Sequence, residues 1–210
     1  MPQYGLISGT DARAIEKTID LLCYEFEKET IDYLEIGVYS GRTMSGVNEY
    51  ILSKGKRPKI IGIDSFKDGE MFSNIPSTAS LILSDSILAH KLIEDKSQDI
   101  IFLDACHCKL HVIEDFLNYK DKLRYGGYMI FHDTGAHIKP RKDFQHGDPD
   151  DDDSYISVRR AIQQLGLFKE NKYWDLVMDV ADKNNEAGGV CVFKKTSPYH
   201  SYYNRLMELK

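Results

Sequence analysis

The sequence is poor in several features that would assign it a class quickly. Four cysteines stand in 210 residues, Cys23, Cys106, Cys108 and Cys191, and none forms a Cys-x-x-Cys pair. That is too few for a disulfide-built scaffold, and reduced thiols in a cytoplasmic setting are expected. No apolar run is longer than a strand needs, so a membrane-spanning helix is not expected. Residues 1–10 lack the basic start and apolar core of a signal peptide. Basic clusters are scarce too. The densest is Lys54-Gly-Lys56-Arg57 with Lys59, in a chain of formal net charge −6. A phosphate-backbone binder gathers Lys and Arg on one face, so nucleic acid is not expected as the main partner. No Gly-x-Gly-x-x-Gly fingerprint and no Walker lysine occurs, which sets aside the usual dinucleotide and nucleoside-triphosphate loops.

What is present is organised around residues 31–43. An apolar run meets Glu35, then Gly37 and Gly41, and a helical segment follows over 42–53. This reads as strand, tight turn and helix, with glycines where the backbone turns sharply or admits a ligand. Before it, Thr10 is placed to cap a helix over 11–28 whose Ile15, Ile19, Leu22, Cys23 and Phe26 share one face. After it, strands are expected over 59–63, 79–83, 98–103 and 128–131. Helices are expected from 86 to about 95 and over 110–122. A helix over 155–165 and two strands close in sequence, 173–180 and 189–194, complete the pattern. Alternation argues one domain over 1–210, an α/β doubly wound sheet, mostly parallel, with helices on both faces and an antiparallel hairpin at one edge. Two stretches stand apart, 65–78 and the polar 134–154. The second holds an acidic run at 148–153, read as a solvated tract or as a loop or lid over the site.

In open sheets of this kind the ligand lies outside the carboxyl ends of the strands. Glu35, Asp64, Asp85, Asp104, His132 and Asp133 all stand at predicted strand ends and should gather around one cleft. Asp64, after the second strand, is placed to accept ribose hydroxyls, or simply to start a turn. A carboxylate-lined turn repels pyrophosphate and tolerates a ligand that joins an adenosine to a positive charge.

Taken in order, Glu35-Ile-Gly37-Val-Tyr-Ser-Gly41-Arg-Thr43, Ile63-Asp64, Ser84-Asp85-Ser86, the segment from Asp99 to His107, and Gly126-Gly127 through Thr134 resemble the successive motifs of class I S-adenosylmethionine-dependent methyltransferases. The similarity is to the small-molecule O-methyltransferase branch that includes macrolide-sugar methyltransferases and cephalosporin hydroxylase-like proteins, over residues 30–195. The resemblance implies a Rossmann-like fold with S-adenosylmethionine as cofactor. It implies that Gly37 and Gly41 line the methionine part and that Glu35 fixes the turn and faces the amine. It gives Asp64 the ribose hydroxyls, places Asp85 and Ser86 near the adenine, and adds Thr43, Ser65 and Asp104 to the cofactor contacts. It implies a magnesium ion at Asp104, His132 and Asp133, and His107 as general base. Relatives usually carry Asp-Gly-Asp-His-Ser-Tyr where this chain has Asp104-Ala-Cys106-His107-Cys108-Lys109. The base position is kept and its neighbours are not. The acidic pair after the fifth strand is His132-Asp133, with one hard oxygen ligand fewer.

Methyl transfer from a sulfonium is a direct displacement, so the reacting atoms must be aligned about 3–3.5 Å apart. A hydroxyl acceptor must also lose its proton, a task histidine can perform near neutrality. The expected activity is therefore methyl transfer to a hydroxyl of a small molecule or sugar. The alternative is a non-catalytic nucleoside-binding or assembly module on the same fold. A zinc site among Cys106, His107, Cys108 and His111 is a weaker reading, because Cys106 and Cys108 are too close for ordinary finger spacing. A homo-oligomer through the first helix or the Tyr-rich tail is possible on the same residues.

Overall fold

The computed structural model describes residues 4, 7–65, 72–135, 158–181 and 188–197. The elements run α1 (Gly9–Glu25), β1 (Thr30–Ile36), α2 (Arg42–Ser53), β2 (Arg57–Asp64), β3 (Ser80–Leu83) and α3 (Ser86–Ala89), followed by a 3₁₀ turn at His90–Leu92. Then come β4 (Gln98–Leu103), α4 (Lys109–Tyr119), β5 (Leu123–His132), α5 (Val158–Gln164), β6 (Trp174–Ala181) and β7 (Gly189–Lys195). They build one seven-stranded sheet in the order β3-β2-β1-β4-β5-β7-β6. The first five strands are parallel; β7 runs antiparallel between β5 and β6. This is the Rossmann-like doubly wound sheet expected, with the antiparallel pair at one edge.

Period-two alternation divides the core between two faces. Along the fully buried β4, Ile100 and Phe102 point to the side covered by α1 and α2, beside Ile15, Ile19, Met44 and Val47. Ile101 and Leu103 point to the side covered by α4 and α5, beside Phe116, Tyr119, Ala161 and Ile162. A strand buried on both faces reads as a continuous apolar run, as β4 does.

Several boundaries differ from the sequence reading. Thr10 does not cap α1; Ser8 does. The Ser8 hydroxyl accepts from the amides of Thr10 and Asp11, and the Asp11 carboxylate accepts from the Ser8 amide at 3.2 Å, a reciprocal capping box. The helix expected to reach residue 95 ends as α3 and the short 3₁₀ turn. Leu88 and Leu92 stay exposed, so no apolar stripe extends it, and buried Ile93 is already extended. β5 begins at Leu123 rather than 128, taking Gly126 and Gly127 into the strand. Gly126 adopts φ 82° against the Phe26 ring, where a Cβ would lie 2.5 Å from the ring edge. The acidic run and most of the polar loop before it fall at 136–157, and the Tyr-rich tail at 198–210, outside the described residues. No described helix is long and apolar enough to cross a membrane.

Candidate active site at the carboxyl ends of the strands

The winding direction reverses between β1 and β4, and that switch point sets the floor of the site. Gly37 leaves β1 at φ 89°, and its amide donates to the Ile63 carbonyl at 2.9 Å. A Cβ at Gly37 would stand 2.1 Å from the Asp104 carbonyl oxygen, so only glycine lets the ends of β1 and β4 approach this closely. Asp64, at the end of β2, shapes the same turn. Its Oδ2 accepts from the amides of Val38 at 2.8 Å and Tyr39 at 2.9 Å. Tyr39 is thereby held at φ 48°, and Gly41, at φ 77°, starts α2 without a side-chain cap. The result is a short, carboxylate-braced turn with the amino end of α2 behind it. Thr43 is buried in the first turn of α2, and Ser65 is exposed beside Asp64.

Glu35 lies inside the turn. It is 1% exposed and accepts from the Tyr33 hydroxyl at 2.8 Å. Burial pushes its pKa well up, with Asp104 and Asp64 pushing the same way against the Tyr33 hydrogen bond. Farther along the same rim, Asp85 caps α3 by accepting from the Ile87 amide at 2.9 Å. The Ser86 carbonyl accepts from the Tyr119 hydroxyl at 2.7 Å.

Between β4 and β5 the ionisable groups converge. His132, 8% exposed, holds Asp104 Oδ1 through Nδ1 at 2.8 Å and Asp11 Oδ2 through Nε2 at 3.3 Å. His107 Nε2 lies 3.3 Å from both Asp104 Oδ1 and Asp133 Oδ2. Asp133 itself is in the left-handed region at φ 53°. Burial alone would drive the His132 imidazole toward its neutral form, but the Asp104 charge and hydrogen bond outweigh it and raise its pKa well above the usual value. In return the imidazoles overcome burial and hold the Asp104 carboxyl below the usual range. Burial pushes the Asp133 carboxyl upward. The group is therefore a carboxylate–imidazolium core, with His107 bridging two carboxylates at its more open side.

The structure brings Glu35, Asp64, Asp104, His107, His132 and Asp133 into one neighbourhood and leaves Asp85 and Ser86 on the β3 flank. Sequence reasoning missed Asp11. It is 1% exposed and closes the far side of His132. Its only signal was an acid three residues after Ser8, which reads as a helix cap and not as a site.

His107 and His111 do not work together. His107 goes to the carboxylates, while His111 Nδ1 lies 3.1 Å from Cys106 Sγ and 3.0 Å from Cys108 Sγ. The Cys106 hydrogen bond draws the Cys108 thiol down to about 6, against the effect of burial.

Asp104, His107, His132 and Asp133 are the donor set that a magnesium ion would have to use. Their ligand atoms lie within 4.8 Å of one another. Magnesium takes oxygen ligands in near-octahedral order, and only two of these four residues supply oxygen. Both nitrogens of His132 are already engaged by carboxylates. The residues fit an ion-paired proton network better than a magnesium shell.

Comparisons with known proteins bear on the family and the fold. A family profile described as a methyltransferase domain matches residues 34–134. An uncharacterized protein of Acanthamoeba polyphaga mimivirus is 27% identical over 129 residues, covering 55% of this chain and 57% of that protein's length. An O-methyltransferase from Bacillus cereus, solved with S-adenosylhomocysteine, superposes with a TM-score of 0.62 at 14% identity, covering 90% of this chain and 82% of that one. MycE of the mycinamycin pathway, solved with Mg, S-adenosylhomocysteine and mycinamycin VI, gives 0.58 at 16% identity, over 95% of this chain and 53% of that one. Aeropyrum pernix fibrillarin with bound S-adenosylmethionine gives 0.53 at 19% identity, over 84% and 74%. Residues 34–134 thus match a methyltransferase domain, and the chain around them has the Rossmann-like fold of the class I S-adenosylmethionine-dependent methyltransferases.

Proposed function

We propose that the chain transfers the methyl group of S-adenosylmethionine to a hydroxyl of a small molecule or sugar, with His107 as general base. The observation that carries this reading is His107 Nε2 at 3.3 Å from both Asp104 and Asp133. With the Nε2 proton shared between those carboxylates, Nδ1 bears the lone pair that takes the hydroxyl proton. The two carboxylates stabilise the imidazolium so formed, as a carboxylate does for histidine in acyl-transfer enzymes.

S-adenosylmethionine, when bound, supplies an activated methyl on a sulfonium. The residues at the switch point fit such a ligand: acids dominate the rim, and the turn at Gly37 and Gly41 is braced from below by Asp64. Gly37, Gly41, Thr43, Asp64 and Ser65 are the proposed contacts along β1 and β2, with Glu35 behind the turn, Asp85 and Ser86 toward the adenine, and Asp104 beside the methionine part. As the acceptor oxygen bonds to the methyl carbon and the carbon–sulfur bond breaks, the oxygen's proton passes to His107. His132, clamped between Asp104 and Asp11, orients the Asp104 carboxylate and is a positioning residue. Asp104 and Asp133 are the residues that magnesium would share, but the reaction is accounted for by protein groups alone. The net charge of −6 and the lack of a basic cluster support a small acceptor over nucleic acid.

The test is turnover of labelled S-adenosylmethionine over a panel of hydroxyl, carboxyl, amine and RNA acceptors. Methylation of a hydroxyl acceptor that His107→Ala abolishes supports the reading. Methylation of RNA or of amines alone contradicts the acceptor class. Tight cofactor binding without turnover on any acceptor favours a nucleoside-binding module.

A further inference from the structure

The segment between β4 and α4 carries a second set of ligand atoms that methyl transfer leaves unused. Cys106 Sγ and Cys108 Sγ are 3.2 Å apart, and His111 Nδ1 lies 3.1 and 3.0 Å from them. We propose that Cys106, Cys108 and His111 form a zinc-binding site, separate from the carboxylate–imidazole cluster.

The donor set is two thiols and an imidazole, the soft ligands that select zinc over magnesium or calcium. Cys106 and Cys108 turn their sulfurs toward each other while His107, between them, turns to Asp104 and Asp133. Cys108 is extended (φ −73°, ψ 144°) at the amino cap of α4, and its sulfur faces Cys106 Sγ and His111 Nδ1. His111, three residues on, stands over the cap on the same helix face. Cys106 Sγ, Cys108 Sγ and His111 Nδ1 would supply three of the four ligands that zinc usually takes. Binding transfers the thiol protons to solvent and forms two zinc–sulfur bonds and one zinc–nitrogen bond, with no electron exchanged. Such an ion ties down the residues on both sides of His107 and so fixes the base.

The full chain, purified under reducing conditions and loaded with cobalt(II) as a zinc probe, should show thiolate-to-cobalt charge-transfer absorption that zinc abolishes. It should also retain one zinc through gel filtration. Cys106→Ser and Cys108→Ser should lose both signals, and Asp133→Asn should keep both. A cobalt spectrum without the thiolate band, or equal zinc retention in the two serine variants, overturns the proposal. So does zinc retention that depends on Asp133 instead. Should the serine variants fail to fold by circular dichroism, alkylation of the unmodified chain decides. Zinc must protect Cys106 and Cys108, located by mass spectrometry, and absence of protection contradicts the site.

Discussion

The two ends of the central strands both bury acids, and they neutralise them differently. At the amino end, Asp99 is 0% exposed and pairs with Lys28 and with Arg124 Nη1 at 3.1 Å, while accepting from the Asp32 amide at 2.9 Å. Asp32 in turn meets Arg124 at 3.1 Å and Lys59 at 3.3 Å. At the carboxyl end, Asp104, Asp11 and Asp133 are met by His132 and His107. Ammonium and guanidinium groups keep their charge across neutral pH, whereas imidazole changes charge there. One end is wired to hold β1, β4 and β5 in register. The other is wired with groups that can receive and release a proton. The difference separates groups of fixed charge from groups that titrate near neutrality within one sheet.

That contrast can be broken in ranked ways. The largest effect is expected from His107→Ala. Turnover should fall about 10²–10⁴-fold, the usual contribution of a general base, with S-adenosylmethionine affinity unchanged by calorimetry; a comparable loss of affinity would make His107 a binding residue. Next is Asp99→Ala at the amino end. Removing one member of a buried ion pair costs about 3–5 kcal/mol, and the partial exposure of Lys28 and Arg124 lowers this to about 2–3 kcal/mol. Urea unfolding should show that loss, with activity per folded molecule retained. A smaller effect concerns pH. The His132 pKa is raised in the folded state, so the stability it contributes is full below its unfolded pKa of about 6.5 and is lost as pH rises through the folded value. The urea midpoint should therefore fall on the alkaline side, and His132→Asn should flatten that fall. An equally steep fall in the variant would assign it to another group. The smallest effect is from magnesium, which should leave turnover unchanged. A stimulation that Asp133→Asn removes would restore the metal reading.

Much of this architecture was legible in the sequence because it rests on local signals. The apolar run of β4, the glycines at 37 and 41, and the acid closing β2 are each written within a few residues. α2 and β4 were located to the residue. What stayed hidden depends on long-range pairing. Asp11 reads as a helix cap, yet it also reaches His132 across 121 residues. Asp99 lies within a strand-sized apolar run, and nothing local marks Lys28 and Arg124 as its partners. The segment from Cys106 to His111 is a further case: its sequence groups two histidines with two cysteines, whereas the fold turns His107 to Asp104 and Asp133 and His111 to the two thiols.

On the proposed function, the carboxyl-end turn holds S-adenosylmethionine. Calorimetric titration of the purified chain with S-adenosylmethionine and with S-adenosylhomocysteine tests it most directly. Saturable binding of both, abolished in a folded Asp64→Ala variant, is the predicted result. A folded chain that binds neither would contradict the claim and leave the fold without its cofactor.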